Sequence, residues 1–284
     1  MSQPEIRLLL ADVDGTLVTD DKVLTDAAKA VVCDLGRAGI AFAITSSRPP
    51  RGLRMLAEPL TLKMPLAGLN GGVLVNPDLS VIECRKLDPA SARQAVGLLQ
   101  EQGLDVWVYT ETDWLVRNLA GPHVAREAWI LQFSPTVVAA FTDAHLAQAV
   151  KIVGVSENSD LVAACEGHAR TVLGGTVSAA RSNPYLLDIT NPQANKGAVV
   201  ITLARILSIP PSQIATIGDM PNDVMMFVKS GLSIAMGNAS DAVKAKANHV
   251  TDSNEDDGFA SAVRRFVLPT PTQGPKPASK ETAV

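Results

Sequence analysis

Two carboxylates follow directly on a short apolar run near the start of the chain. Residues 8–11 read Leu-Leu-Leu-Ala, and Asp12-Val-Asp14-Gly15 comes next. Residues two apart on an extended chain project to the same side, so both carboxylates can face one small volume. Two like charges at that separation destabilise each other unless a cation, a shared proton or a polar ligand relieves them. Because oxygen ligands favour a hard ion such as Mg²⁺, the pattern predicts a divalent metal site. The simpler alternative is an Asp-Gly surface turn.

Further polar clusters follow other predicted elements. Residues 40–44 read as a strand that leads into Ser46 and Arg48, and residues 214–217 read as a strand that leads into Asp219. Asn195 is placed to cap a helix that begins at Lys196. In a parallel α/β sheet, ligands bind beyond the carboxyl ends of the strands. The spacing therefore predicts that these clusters meet in one site.

Composition excludes several classes of protein. The chain has 284 residues, is 46% hydrophobic and 19% charged, and carries a formal net charge of −4. This length allows one or two domains, and the charge argues against a nucleic-acid partner. Cys33, Cys84 and Cys165 have no spacing typical of a zinc site or a disulfide framework. No secretory leader or membrane span is evident, so the expectation is a cytoplasmic protein that binds a small molecule. The sequence leaves the oligomeric state open.

The middle of the chain differs from both ends. Strands and helices alternate before and after it, which predicts a Rossmann-like parallel sheet formed by residues 1–84 and 185–268. Residues 85–184 predict an inserted α+β module, with a helix opened by Asp88-Pro89, paired strands over 106–109 and 115–117, a short helix near Leu161 and a strand over 171–177. Residues 269–284 are rich in Pro, Thr, Ser and Lys and predict a disordered tail.

The four polar clusters, namely Asp12 with Asp14, then Ser46, Lys196 and the segment 218–223, resemble in order and context the four motifs of the haloacid dehalogenase (HAD) superfamily. The insertion between the second and third motifs is similar to the C2B-type cap of Cof-type (subfamily IIB) phosphatases. Asn70-Gly71-Gly72 also resembles a signature of that group. The resemblance covers the chain up to the tail. It implies the HAD fold and a Mg²⁺-dependent phosphatase that hydrolyses small phosphomonoesters, with sugar or polyol phosphates as the expected substrates.

The resemblance also implies roles for the first motif. Asp12 would be the nucleophile that forms an aspartyl-phosphate, and Asp14 would be the general acid and then the general base. The Asp12 carboxylate, the Asp14 backbone carbonyl and Asp219 would hold the Mg²⁺. Lys196 would add a positive charge beside the nucleophile and the phosphate.

Phosphate binding is implied for Ser46, Arg48, Lys196 and Asn222, while Asp223 would support the metal ligands and Lys196 without touching the metal. Judged alone, Ser46 could equally be a helix cap, Lys196 a solvated helix residue, and the segment 219–223 a capped turn. The sequence departs from the usual Thr-Gly-Arg of the group, because Ser47 replaces the glycine. We interpret this change as one that tunes substrate selection.

Three alternatives stay open at this stage. A phosphomutase uses the same aspartyl-phosphate, a phospho-receiver module uses a similar set of groups around Mg²⁺, and a catalytically inactive binding protein could retain the fold. The inserted module argues against a receiver, which is a compact single domain. Within that module, the aromatic residues are expected to pack the interior, and three polar residues are candidate substrate contacts. The aromatic set is Trp107, Tyr109, Trp114 and Trp129, and the polar set is Arg117, Asn118 and Arg181.

Overall fold

The computed structural model describes residues 5–269, which form fourteen strands and ten α-helices. The strands are β1 (Leu8–Asp12), β2 (Ala41–Thr45), β3 (Leu66–Gly68), β4 (Val73–Val75), β5 (Val81–Cys84), β6 (Asp105–Tyr109), β7 (Trp114–Val116), β8 (Thr136–Val137), β9 (Lys151–Val155), β10 (Ser178–Asn183), β11 (Leu186–Thr190), β12 (Ile214–Gly218), β13 (Leu232–Ala235) and β14 (His249–Val250). The helices are α1 (Asp26–Arg37), α2 (Arg54–Ala57), α3 (Pro89–Glu101), α4 (Val124–Leu131), α5 (Asp143–Leu146), α6 (Ser159–Leu173), α7 (Lys196–Leu207), α8 (Val224–Phe227), α9 (Asp241–Lys244) and α10 (Gly258–Ala262).

The first sheet has eight strands in the order β14-β13-β12-β1-β2-β3-β4-β5. Strands β14 to β3 pair in parallel, whereas β4 and β5 add an antiparallel edge. Side chains alternate across β1, so that Leu9 packs with α1 and α10 on one face and Leu10 packs with α7 on the other. This doubly covered parallel sheet confirms the predicted α/β class.

The second sheet has six strands in the order β10-β11-β9-β6-β7-β8. The predicted pairing of β6 with β7 is confirmed, and the two strands run antiparallel. Strand β11 pairs with β9, so residues 186–190 belong to this sheet and not to the first one. The predicted boundary at residue 184 is therefore too early, because the inserted sheet continues to Thr190. The division into a core and a cap, with this later boundary, stays a prediction.

Capping residues fix where several helices begin. The Thr25, Asp88 and Asn195 side chains each accept a hydrogen bond from a backbone N–H in the first turn of α1, α3 and α7. The starts of α3 and α7 are those predicted from the sequence, and Thr25 belongs to the residue types that commonly cap a helix. Helix α6 differs, because it runs through Leu173 where a short helix and then a strand over 171–177 were predicted. Its buried side chains lie at helical spacing and pack on the second sheet, which outweighs the local β preference.

The two faces of the second sheet have different partners. Helices α3 and α6 cover the outer face, where Val106 and Val108 pack. Trp107 and Tyr109 point the other way and join the apolar cluster of the first sheet. Trp114 lies between them, 5.1 Å from Trp107 and 5.8 Å from Tyr109 between ring centroids. An aromatic layer thus packs the second sheet against the first.

Among residues 5–269, no helix combines the length and the apolar character that crossing a bilayer requires. The predicted tail falls almost wholly on residues 270–284, which lie outside the described residues.

Candidate active site

The predicted site residues gather at one edge of the first sheet. Asp12 ends β1, Ser46 follows β2, and Asp219 follows β12. These three strands are neighbours and run in parallel, so their carboxyl ends coincide. Lys196 is the first residue of α7, which covers the same sheet. The parallel topology therefore brings together four segments that are far apart in the sequence.

Lys196 lies fully buried between two carboxylates. Its Nζ donates to Asp12 Oδ1 at 2.6 Å and also to Asp223 Oδ1. Burial alone would lower the pKa of Lys196, but the charges and hydrogen bonds of Asp12 and Asp223 raise it. The ammonium is therefore charged, and it holds the Asp12 side chain in one orientation.

Both carboxylate oxygens of Asp223 accept hydrogen bonds from neighbouring groups. Its Oδ2 accepts hydrogen bonds from the backbone N–H groups of Asp219 and Met220, at 2.9 and 2.8 Å, while Oδ1 accepts from Lys196. This arrangement orients the turn that carries Asp219. The expectation that Asp223 supports the metal ligands and Lys196 without touching the metal stays a prediction, and its carboxylate belongs to the same acidic cluster.

Three carboxylates and one ammonium leave this cluster with surplus negative charge. One oxygen from each of Asp12, Asp219 and Asp223 lies within 4.8 Å of the others. Burial, with the neighbouring carboxylates, raises the pKa of Asp12 well above its usual value and that of Asp219 to about 7. Because hard oxygen ligands are crowded and undercompensated here, the residues fit a Mg²⁺ ion.

Two features of the cluster were not predicted from the sequence. Thr16 Oγ1 lies 3.5 Å from Asp12 Oδ2 and 3.4 Å from Asp219 Oδ1, so its one hydroxyl hydrogen can be donated to either carboxylate. Asn238, which follows β13, donates to the Gly15 carbonyl at 2.9 Å and to Asp219 Oδ2 at 3.3 Å. The sequence did hold a signal for Asn238, because it follows the short apolar run Ile234-Ala235-Met236 as the other polar residues follow theirs.

Gly15 allows the first motif to approach Asp219 closely. Its φ of +76° lies in the left-handed region, and a Cβ at this position would collide with the Asp219 carboxylate. Both the backbone conformation and the available space therefore require glycine.

Asp14 is paired with cations, which was not expected of a general acid. Arg48 donates to both of its carboxylate oxygens, at 2.7 and 2.6 Å, and Lys22 Nζ lies 2.9 Å from Oδ1. Burial alone would raise the pKa of Asp14, but the hydrogen bonds and charges of Arg48 and Lys22 lower it. Asp14 is thus ionised in this state. The guanidinium predicted to bind phosphate is occupied here by a carboxylate.

The remaining predicted phosphate ligands lie close by in the same loops. Ser46 is buried, and its Oγ accepts a hydrogen bond from the Arg48 backbone N–H at 3.1 Å. Its hydroxyl hydrogen remains available for an acceptor. Asn222 Nδ2 donates to Asn70 Oδ1 at 3.0 Å, while the buried Asn222 Oδ1 has no partner among the described residues. That orphaned oxygen can only accept, so it suits a donor and not a phosphate oxygen.

A cavity of about 480 Å³ separates the core site from the cap. The core contributes Asp14, Lys22 and Arg48 to its lining. The cap side chains Arg126, Glu127, Trp129 and Lys151 line the opposite wall. The predicted contacts Arg117, Asn118 and Arg181 do not line it, and Arg181 instead pairs with Glu166.

The aromatic residues of the cap divide between its interior and this cavity. Trp107, Tyr109 and Trp114 are buried, as predicted. Trp129 is 55% exposed and lines the cavity, so its predicted interior packing is wrong. It follows the exposed Arg126 by one helical turn on α4, which places both at the rim.

Comparison with known proteins agrees with this geometry. The model of the haloacid dehalogenase-like hydrolase family matches residues 9–263. The 5-amino-6-(5-phospho-D-ribitylamino)uracil phosphatase of Bacillus subtilis (strain 168) is 25% identical over 264 residues, which cover 93% of this chain and 97% of that protein. The pyridoxal phosphate phosphatase of Escherichia coli (strain K12) is 26% identical over 271 residues, with coverage of 92% and 99%.

Solved structures share the fold. A haloacid dehalogenase-like hydrolase from Bacteroides thetaiotaomicron superposes with a TM-score of 0.83 at 24% identity, covering 92% of this chain and 99% of that one. A sugar phosphatase of HAD subclass IIB gives a TM-score of 0.80 at 19% identity, with coverage of 93% and 100%. The family match spans almost all of the described core and cap, so the chain belongs to the haloacid dehalogenase-like hydrolases and is a Cof-type phosphatase that hydrolyses phosphoric monoesters.

Proposed function

We propose that this phosphatase is Mg²⁺-dependent and acts through an aspartyl-phosphate formed on Asp12. The observation that carries the proposal is the position of the Asp12 carboxylate, held by Lys196 at 2.6 Å and within 4.8 Å of Asp219, at the end of a parallel strand. A buried carboxylate fixed in this way is positioned to act as a nucleophile.

In the first step, an Asp12 carboxylate oxygen forms a bond to phosphorus while the bond from phosphorus to the leaving oxygen breaks. Asp14 gives its proton to that leaving oxygen. In the second step, Asp14 takes a proton from water as the water oxygen bonds to phosphorus and the bond from phosphorus to the Asp12 oxygen breaks, which releases phosphate and restores the Asp12 carboxylate. Since Asp14 is ionised beside Arg48, it has to take up a proton before the first step. A bound phosphate that draws Arg48 away from Asp14 would favour that uptake.

Asp12 and Asp219 are the side chains that would hold Mg²⁺, with the Asp14 backbone carbonyl as a further ligand. The ion, when bound, would supply positive charge that reduces the repulsion between the Asp12 carboxylate and a phosphate dianion. Lys196, which donates to Asp12 Oδ1, would add a second positive charge beside the same carboxylate. Ser46 would donate its hydroxyl to a phosphate oxygen, and Asn222 Oδ1 would accept a hydrogen bond from a donor group that comes to lie beside it.

The expected substrates are small sugar or polyol phosphates. The cavity volume of about 480 Å³ lies in the range of small-molecule sites, and its walls are rich in charged side chains. The relative from Bacillus subtilis is named for a ribityl phosphate ester, which is a polyol phosphate. The cytoplasmic location stays a prediction.

The test is a phosphate-release assay over sugar and polyol phosphates, with Mg²⁺ and with a chelator, on the wild type, Asp12→Asn and Asp26→Asn. Asp26 is an exposed carboxylate of α1 and serves as the matched control. Wild type and Asp26→Asn should release phosphate only with Mg²⁺, and Asp12→Asn should lose turnover by about a thousandfold or more. Equal activity in Asp12→Asn would remove the nucleophile assignment.

The phosphomutase alternative shares Asp12 and differs in where the phosphoryl group goes. Release of free phosphate from a sugar phosphate, without a bisphosphate activator, would exclude it. A phospho-receiver is disfavoured by the family match and by the inserted sheet.

A further inference from the structure

The cap wall of the cavity carries one carboxylate that no cation pairs with directly among residues 5–269. Glu127, on α4, lines the cavity, and within residues 5–269 its carboxylate has no hydrogen bond or ion pair. The cations opposite it, Lys22 and Arg48, are both engaged by Asp14. Burial raises the pKa of Glu127, and the charges of Asp14 and Asp188 add to that rise, while the charges of Lys151 and Arg48 offset part of it.

Lys151 lies on the same wall, and it is buried at the start of β9. Its Nζ donates to the Ser47 carbonyl at 3.2 Å and to Asp188 Oδ2 at 3.3 Å. An ammonium has three N–H donors, so one remains after these two contacts. The bond to Ser47 fixes Lys151 against the loop of the core that follows Ser46.

Asp188 is a second carboxylate beside Lys151. It lies on β11 behind Lys151, and its buried Oδ1 has no hydrogen-bond partner among the described residues. Lys151 therefore offsets only part of the charge of Asp188 and Glu127. The remaining cation of the wall, Arg126, is exposed at the rim, where its guanidinium lies 5.7 Å from the Tyr185 ring.

We propose that Glu127 and Lys151 select a neutral, hydroxylated leaving group and that Glu127 excludes leaving groups with a second negative charge. A hydroxyl group can donate to the Glu127 carboxylate and accept from Lys151. A carboxylate or a second phosphate has no proton to donate and would lie beside an unpaired anion of the same sign. This inference rests on the proposed function, because it concerns the leaving group of that reaction.

Matched esters separate hydroxyl recognition from general phosphatase activity. Sorbitol 6-phosphate and 6-phosphogluconate have six-carbon chains of the same length and differ at the far end, where one has a hydroxyl group and the other a carboxylate. We expect wild type to favour sorbitol 6-phosphate in kcat/KM by about tenfold or more. Glu127→Gln should narrow that ratio, chiefly by lowering the KM for 6-phosphogluconate. Glu101→Gln, an exposed site on the cap helix α3, should leave the ratio unchanged.

A binding measurement gives a second readout that needs no turnover. Calorimetric titration with each ester is done on Asp12→Asn and on the double variant Asp12→Asn/Glu127→Gln. Asp12→Asn should bind sorbitol 6-phosphate with a lower Kd than 6-phosphogluconate. The double variant should show a smaller difference between the two Kd values. Lys151→Gln, checked for folding by its melting temperature, should weaken binding of sorbitol 6-phosphate by about tenfold. An equal ratio in wild type and Glu127→Gln, or a wild-type preference for 6-phosphogluconate, would overturn the inference. Failure of wild type to hydrolyse para-nitrophenyl phosphate with Mg²⁺ would count against the proposed function instead, and the binding ratio would still decide the inference.

Discussion

Arg48 holds Asp14 through two hydrogen bonds, from Nε to Oδ2 at 2.7 Å and from Nη2 to Oδ1 at 2.6 Å. The remaining nitrogen of the guanidinium, Nη1, donates to the Ile130 carbonyl of the cap at 3.1 Å. One buried side chain therefore contacts both the proposed proton carrier and the cap. The same guanidinium thus carries the ion pair with Asp14 and the hydrogen bond to the Ile130 carbonyl.

The ion pair between Asp14 and Arg48 should stabilise the folded protein at neutral pH, and this stabilisation should be lost in acid. The folded-state pKa of Asp14 is lowered, so its contribution is present above the unfolded pKa of about 3.9 and is lost as the pH falls through the folded value. We expect Asp14→Asn to lower the free energy of unfolding by about 2 kcal/mol at pH 7. The difference from wild type should shrink at pH 3, as measured by urea unfolding. A difference that is the same at both pH values would contradict this account.

Asp14→Asn should also separate substrates by their leaving groups. An alkoxide needs protonation as it departs, whereas an activated phenolate does not. Turnover of alkyl phosphates should fall by about a hundredfold or more, and turnover of para-nitrophenyl phosphate should fall much less. Steady-state kinetics on both esters provides the measurement. Equal losses would mean that Asp14 is not chiefly the acid.

Gly15→Ala should weaken Mg²⁺ binding, because the added Cβ would displace the Asp219 carboxylate. Gly39→Ala is the matched control, since Gly39 has a similar φ of +74° but open space where a Cβ would lie. Both variants should lose about 1 kcal/mol of stability from the left-handed backbone. Only Gly15→Ala should raise the Kd for Mg²⁺, by about tenfold or more, in a calorimetric titration. A comparable Kd for Mg²⁺ in the two variants would show that a Cβ at position 15 does not disturb Asp219 enough to weaken Mg²⁺ binding.

Lys196→Met should destabilise the protein strongly, because it leaves Asp12 and Asp223 buried without their shared cation. Breaking a buried ion pair from one side costs about 3–5 kcal/mol. Lys246→Met, at an exposed lysine, should stay within about 0.5 kcal/mol of wild type. The comparison is made by urea unfolding without metal. Mg²⁺ should restore part of the lost stability, because it also offsets the charge of the carboxylates. If Lys196→Met is as stable as wild type without metal, the structural role of Lys196 is contradicted.

Much of the core could be predicted because its signals are local. The apolar runs before Asp12 and Asp219 mark buried strands, and Thr25 and Asn195 mark helix starts. Strand β11 has no local signal for the sheet to which it belongs. Its sequence Leu-Leu-Asp-Ile-Thr is that of any buried strand, and nothing in the pattern says which sheet it joins.

The cap side of the site depended on contacts across long stretches of chain. Lys151 meets Ser47 across 104 residues, and Arg48 meets the Ile130 carbonyl across 82. Trp129 has a large aromatic side chain of the kind that usually packs in a core, yet it lies exposed at the cavity rim. Hydrophobic periodicity indicates that a face is buried or exposed, but it does not identify the partner of a given side chain.

The sequence by itself determined the acidic first motif, the order of the polar clusters and their placement at strand ends, because a parallel sheet brings such ends to one edge. Only the tertiary structure decided that Asp14 is held as a carboxylate by Arg48 and Lys22, and that Glu127 lies without a partner opposite them among residues 5–269. The physical reason is that the charge state of a group depends on the burial and the charges around it, which arise only when the cap packs on the core.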